Sequence, residues 1–352
     1  MTSPSTHRLW IGTYPGDGRD PGTGEGVWRV TVDVATGALD HAEQVAVVGS
    51  PAFLARHPSA PVLCAVTETT QGSLTAWRLA DDGGLDHLVT LDSGGAGPCH
   101  VVLDERACWV TNYGDGVAAA YGTSSDGVPV AAHRSLHLGS GSGPVTDRQE
   151  GPHAHQATVV GDHVLVTDLG ADVVRRYPVD PSPSDQGETA AQLPAGTGPR
   201  HLVVLPSGAL VVAGELDAHL HVLVPTEDGW EHAGSVPVSP SAEGEAFPGH
   251  VTLSADGRRL HVGLRGPDVL AVHDVHDGAL PRLEHVADVA LGAGGWPRHH
   301  EVVADDAGTE LLVVALQRTS ELVSVRVSPA GTGEVVARAP WATPPSCVLV
   351  EP

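Results

Sequence analysis

The chain has 352 residues, with 43 Asp and Glu against 19 Lys and Arg, a formal charge of −24 and no Lys at all. Nucleic acid and anionic lipid both require clustered cations to displace counterions, so neither is an expected partner. Hydrophobic residues make up 41% and aromatics only 4%, which leaves the core to Val, Leu and Ala, and the 43 Gly and 28 Pro fall at spaced points, the mark of many short strands and turns.

The start, Met1 to His7, is polar and runs straight into a strand-like segment, Leu9–Tyr14. No charged stretch followed by an apolar one precedes it, and no apolar run nears the length of a membrane span. The expectation is a cytoplasmic protein with no membrane partner. Two further strands are predicted over Val27–Val34 and Asp40–Val48. From Pro51 onward one unit recurs: a proline, a short apolar run, a turn, and a second apolar run ending in polar residues. Copies begin at Pro51, Pro98, Pro152, Pro199, Pro248 and Pro297, and a truncated copy begins at Pro344. The longest interval, from Pro98 to Pro152, takes its extra length in the Gly/Ser-rich Gly139–Pro144 and the residues after it, a predicted loop. Each unit continues with an alternating strand such as Gly72–Leu79 and a short outer one such as Leu85–Leu91.

Four short strands per repeat describe one propeller blade. A helical solenoid would show apolar residues at three- and four-residue spacing, and no unit does. The last copy has an inner strand with nothing after it, whereas the N-terminus supplies second, third and fourth strands with no inner one. The C-terminal strand therefore completes the N-terminal blade. The predicted fold is all-β: a single domain over residues 1–352, a seven-bladed β-propeller of four-stranded blades closed on itself.

Four cysteines (Cys64, Cys99, Cys108, Cys347) are scattered and form no CxxC pair, as expected of free thiols in a reducing compartment. Cys99, beside His100, is a weak candidate nucleophile next to its packing role.

In an antiparallel pair the start of the inner strand and the end of the second lie at one edge. The residues after each repeat proline, and those closing each second strand, should ring one mouth of the central channel. The first set holds His100, His153, His155, Arg200, His201, His250, Arg298, His299 and His300. The second holds Glu68, Asn112, Tyr113, Asp168, Glu215, Arg265 and Gln317. Polar groups converging on a concavity from different blades are the general form of a small-molecule site. His153 and His155, at i and i+2 on a strand, would point to one side as two metal ligands do. No tight carboxylate or Cys cluster accompanies them and Arg200 would oppose a cation, so no metal and no cofactor is expected.

The segment Arg148-Gln-Glu-Gly-Pro-His-Ala-His155 resembles a signature of the lactonase family of seven-bladed propellers, which includes propeller-type 6-phosphogluconolactonases and carboxy-cis,cis-muconate cyclases. Gly97–His100, Asn112–Gly114, Asp168–Gly170, Gly198–His201 and Glu215–Asp217 follow the same family in order along essentially the whole chain. The resemblance implies hydrolysis of a sugar lactone, 6-phosphogluconolactone or a related aldonolactone, with His155, Arg200 and Glu215 as catalytic residues. Glu215 or His155 would serve as base and the other as acid, with Arg200 on the oxyanion. His100, Arg148, His153, His201, His250, Arg265 and Arg298 would bind an anionic lactone, Arg being suited to gripping two oxygens at once. The chain departs from the family pattern at Leu264-Arg265, at Leu316-Gln317, near Gly249-His250 and at Pro297-Arg298-His299, which bears on substrate identity. The same residues would also serve a cycloisomerase or lyase that makes or opens a lactone by proton transfer to carbon. A protein-binding propeller is the third reading, since Trp109–Asn112 resembles repeats of surface proteins, but no Trp-Asp dipeptide ends the blades. A monomer or weak homo-oligomer is expected.

Overall fold

The inner and second strands of each blade are near-continuous Val, Leu and Ala runs because both of their faces are covered by neighbouring blades. The second strand Ala107–Asn112, for instance, is buried at every position. The outermost strands are covered on one side only and alternate, as in Trp230–Pro237. The computed structural model of the chain describes residues 6–14, 26–180, 182–183, 185, 187–241, 244–306 and 308–351. The polar start read over Met1–Ser5 lies outside them. Among the described residues there are 28 strands and no helix, arranged as seven four-stranded antiparallel sheets.

The inner strands of blades two to seven are Pro51–Arg56, Pro98–Leu103, Ala154–Val160, Pro199–Val204, Phe247–Leu253 and Pro297–Asp306. Blade one takes its inner strand, Pro345–Val350, from the C-terminus, and this pairs with Thr6–Thr13 in the register Leu9↔Val350 to Gly12↔Cys347. The ring is thereby closed by backbone hydrogen bonds, and the first and last strands of the chain share one sheet. Between blades the core divides into apolar clusters, such as Val62, Val66, Val101, Val110 and Tyr121 between the second and third.

One irregularity recurs around the ring. Near its start each of these inner strands carries a β-bulge, directly after the repeat proline except in blade four, with register shifts between Pro51 and Phe53, Pro98 and His100, Ala154 and Gln156, Pro199 and His201, Pro248 and Val251, and Pro297 and His299. Blade one has the equivalent shift, where Gly12 faces Cys347 and Thr13 faces Pro345. A bulge leaves one residue unpaired and re-aims its side chain. The extra residues are Ser346, Ala52, Cys99, His155, Arg200, Gly249 and Arg298.

Candidate active site

Those bulged residues stand at one mouth of the channel, the upper mouth here, and three of them, His155, Arg200 and Arg298, were selected from sequence. The backbones of His155 and Arg200 are tied by the preceding blade. Thr111 Oγ1 donates to the His155 carbonyl at 2.8 Å, and Thr167 Oγ1 donates to the Arg200 carbonyl at 2.7 Å while accepting from the Gln156 N–H at 3.0 Å.

Glu215, which follows the second strand of blade five (Leu210–Gly214), is the centre of the charge arrangement. Its Oε1 accepts from Arg148 Nη2 at 2.6 Å, and its Oε2 lies 2.9 Å from both Arg200 Nε and Arg265 Nη2. Burial alone would raise its pKa, but the Arg265, Arg200 and Arg148 charges outweigh it and hold the carboxyl well below the usual carboxylate range. Arg265 is braced by the Phe247 and Pro248 carbonyls at 3.0 and 2.8 Å. Arg200 is 4% exposed, and its Nε, although at ion-pair distance from Glu215, is off the hydrogen-bonding axis, so that Nε and Nη1 both lack a hydrogen-bond partner. Burial and Arg265 bring its pKa down to about 9, which leaves it charged at neutral pH.

Arg148 comes from the long loop between blades three and four, and the motif around it explains how a loop residue is held in place. Gln149, fully buried, donates to the Leu169 carbonyl at 2.9 Å and to Asp172 Oδ1 at 2.8 Å. Gly170 lets the loop approach, since a Cβ there would stand 1.8 Å from the Gly151 carbonyl oxygen. Arg148 also donates to the Tyr113 hydroxyl at 3.2 Å. Tyr113 stacks on His153 at 4.5 Å, and its carbonyl accepts from His153 Nδ1 at 2.6 Å, while Nε2 lies 3.4 Å from Glu150 Oε1. His153 thus sits ahead of the strand, and His155 is the bulged residue within it. The i, i+2 geometry assumed for a metal pair does not exist here, because the bulge breaks the alternation.

His155 Nδ1 is buried without a partner, and burial, reinforced by the Arg200 charge, holds its pKa well below the ordinary value of 6.5. Arg298 donates to Glu68 Oε2 at 2.7 Å and lies 4.3 Å over the Tyr14 ring. Glu68 and Tyr113 were placed at the mouth from sequence without a role. Their position closing a second strand was the available signal, but the contacts that define them come from other blades.

His100, His201 and His250, expected beside the substrate, lie within reach of the Arg200 charge, with the His201 ring 5.2 Å from that of His155. The residue after each bulge points below the mouth, and there Phe53, His100, His201, His250 and His299 pack against one another as a plug. Phe53 and His100 are 4.2 Å apart, His250 stacks on His299 at 3.9 Å, and His201 Nδ1 meets His250 Nδ1 at 2.7 Å. Burial keeps these imidazoles neutral, His100 being brought down to about 3. Cys99 is also no nucleophile. Its thiol is buried against the His155 carbonyl at 3.2 Å, and burial and Glu68 push its pKa up to about 12.

Residues 8–350 match the model of the lactonase family with a seven-bladed β-propeller. The 6-phosphogluconolactonase of Bacillus subtilis is 29% identical over 338 residues, 89% of each chain. The structure of the Pseudomonas aeruginosa periplasmic gluconolactonase superposes with a TM-score of 0.86 at 25% identity, over 99% of each chain. A Lactobacillus plantarum protein superposes with a TM-score of 0.85 at 26% identity, over 99% of this chain and 100% of that one. The family match spans every blade that carries a site residue, and on it the chain belongs to the lactonase enzymes with a seven-bladed β-propeller.

Proposed function

We propose that the chain hydrolyses an anionic sugar lactone, 6-phosphogluconolactone or a related aldonolactone, at the upper mouth. The observation that carries this is a pair of buried polar atoms on adjacent bulges without a hydrogen-bond partner, Arg200 Nη1 and His155 Nδ1, inside a cluster of four arginines. Arg148, Arg200, Arg265 and Arg298 are ion-paired to Glu215 and Glu68 among the described residues, so these six side chains carry a net charge of two positive on a molecule of net charge −24. A phosphate- or carboxylate-bearing lactone matches that excess.

In this reading Arg200 donates to the lactone carbonyl oxygen, and its hydrogen bonds strengthen as that oxygen becomes an oxyanion. His155, neutral at working pH, takes a proton from the attacking water as the water oxygen bonds to the carbonyl carbon. Collapse of the tetrahedral intermediate breaks the bond to the ring oxygen, and the imidazolium returns the proton to that leaving alkoxide. The product is an open-chain hydroxy acid. Glu215 is neither acid nor base in this scheme: a carboxylate shared by three guanidinium groups is too weak a base, and its role is to hold Arg148, Arg200 and Arg265 in place. The cytoplasmic assignment rests on the four buried cysteines, all unbridged.

The test is turnover of δ-gluconolactone and its 6-phosphate by the purified protein. Arg200→Ala and His155→Ala should each lower kcat by about 10²-fold or more with the fold intact. Solvent ¹⁸O should enter the product carboxylate; deuterium incorporated at carbon would instead favour the cycloisomerase reading. Full activity in both variants would refute the assignment.

A further inference from the structure

Below the plug the channel opens again. A cavity of about 520 Å³ is lined by the later halves of the inner strands, among them Phe53, Ala55, Val101, Val159, Glu301 and Leu349. That volume lies within the ~300–1,000 Å³ typical of small-molecule sites. The layer of Phe53, His100, His250 and His299 separates it from the arginine mouth, so the two spaces face opposite ends of the ring.

The wall is aliphatic on the Ala55, Val101, Val159 and Leu349 side and carries imidazoles at the plug, and Glu301 is its carboxyl without a cation. Several interior carboxylates are engaged: Glu215 by three arginines, Glu68 by Arg298, Asp168 by Arg175, and Asp172 by Gln149 and the Gly196 and Gly198 N–H groups, while buried Glu310 has only the His261 ring, 3.1 Å away. Glu301 has no ion pair or side-chain hydrogen bond among the described residues; its own support is a backbone hydrogen bond at Val302. A half-buried carboxyl kept in such a chamber without a cation is costly to folding, and ligand binding is a physical reason for it to be there.

The other titratable groups bordering the chamber do not compete for that role. His100, His250 and His299 are kept neutral by burial, and the Cys347 thiol is pushed up to about 12. At the rim, Asp104 is paired with Arg106 at 2.9 Å, and Arg56 is exposed. We propose that this lower chamber is a second ligand site that takes a small organic amine, its ammonium on Glu301 and its apolar body against Phe53, Val101 and Leu349. The net charge of −24 favours the approach of such a cation, as it opposes that of an anion.

Calorimetric titration of the full chain with benzylamine and with hexylamine tests this, with benzyl alcohol as the uncharged probe. At pH 8 each amine should bind saturably with one site per chain, and benzyl alcohol should bind at least tenfold more weakly. Burial raises the Glu301 pKa to about 7, so the ionised fraction, and with it the apparent affinity, should fall about tenfold from pH 8 to pH 6. Glu301→Gln, which removes no protein partner, should abolish amine binding while lactone turnover and thermal stability are retained. Ala55→Trp should block the chamber independently, and Arg200→Ala should leave amine binding unchanged. Absence of saturable binding at pH 8, or amine affinity within twofold of wild type in Glu301→Gln, would overturn the proposal.

Discussion

At Glu215 three guanidinium groups meet one carboxylate, and that count changes what the residue does. A lone buried glutamate is a candidate base because burial raises its pKa; one clamped by Arg148, Arg200 and Arg265 stays ionised and serves as a fixed counter-charge. Glu215→Gln keeps the shape but leaves three positive charges crowded without their anion. Under the proposed scheme kcat should fall by roughly 10–10²-fold through misplaced arginines. The pH profile of kcat should keep its shape, since no titrating base has been removed. If Glu215 is the base, Glu215→Gln will instead erase a limb of that profile. The sequence offered His155 and Glu215 as interchangeable for this step, because it cannot show how many cations surround each.

At the level of the strand, the bulge near the start of each inner strand is what converts a regular sheet edge into a site. His155, Arg200 and Arg298 are aimed at the mouth because they are the unpaired residues, and hydroxyls of the neighbouring blade fix two of them. Thr167→Val keeps the volume but deletes the donor to the Arg200 carbonyl and the acceptor for the Gln156 N–H. Leaving those buried groups unsatisfied should cost about 1–3 kcal/mol of stability, readable as a lower midpoint in denaturant. Because Arg200 rides on that carbonyl, kcat on the lactone should drop with it. A stability loss with unchanged kcat would show that the clasp does not position the site.

Across the whole ring, the number of buried neutral histidines sets the response to acid. Burial depresses His100 and His300 to about 3 and His273 to about 4, and holds His155, His201, His250 and His299 well below 6.5. In the unfolded chain each titrates near 6.5. Below that value the unfolded state binds more protons, so stability is fully present above about pH 6.5 and is lost as pH falls toward the folded values. Each group contributes a slope of roughly 1–2 kcal/mol per pH unit in that window. Thermal unfolding should therefore occur roughly 10 °C or more lower at pH 5 than at pH 7.5. Glu301, raised rather than lowered, works in the opposite sense as pH rises through 7, but it is one group against seven. A melting temperature level between pH 7.5 and 5 would mean that these imidazoles are not held neutral.

The seven-fold architecture was legible in the sequence because it depends on local and periodic properties. Spaced prolines, apolar runs of strand length and an unmatched strand at each end are enough to specify blade, count and closure. The upper mouth was legible in the same way, since equivalent positions of a repeat must ring the axis. The roles of its members were not. Whether His155 faces the mouth and His201 the plug turns on a one-residue bulge, which leaves no mark in hydrophobic periodicity. Whether Glu215 titrates depends on arginines 67, 15 and 50 positions away in the chain, on three different segments that pairing within blade five and packing of its neighbours bring within 2.9 Å. Local sequence dictates where the chain turns and pairs; charge and hydrogen bonding act through space, so the chemistry was decided only when the blades met.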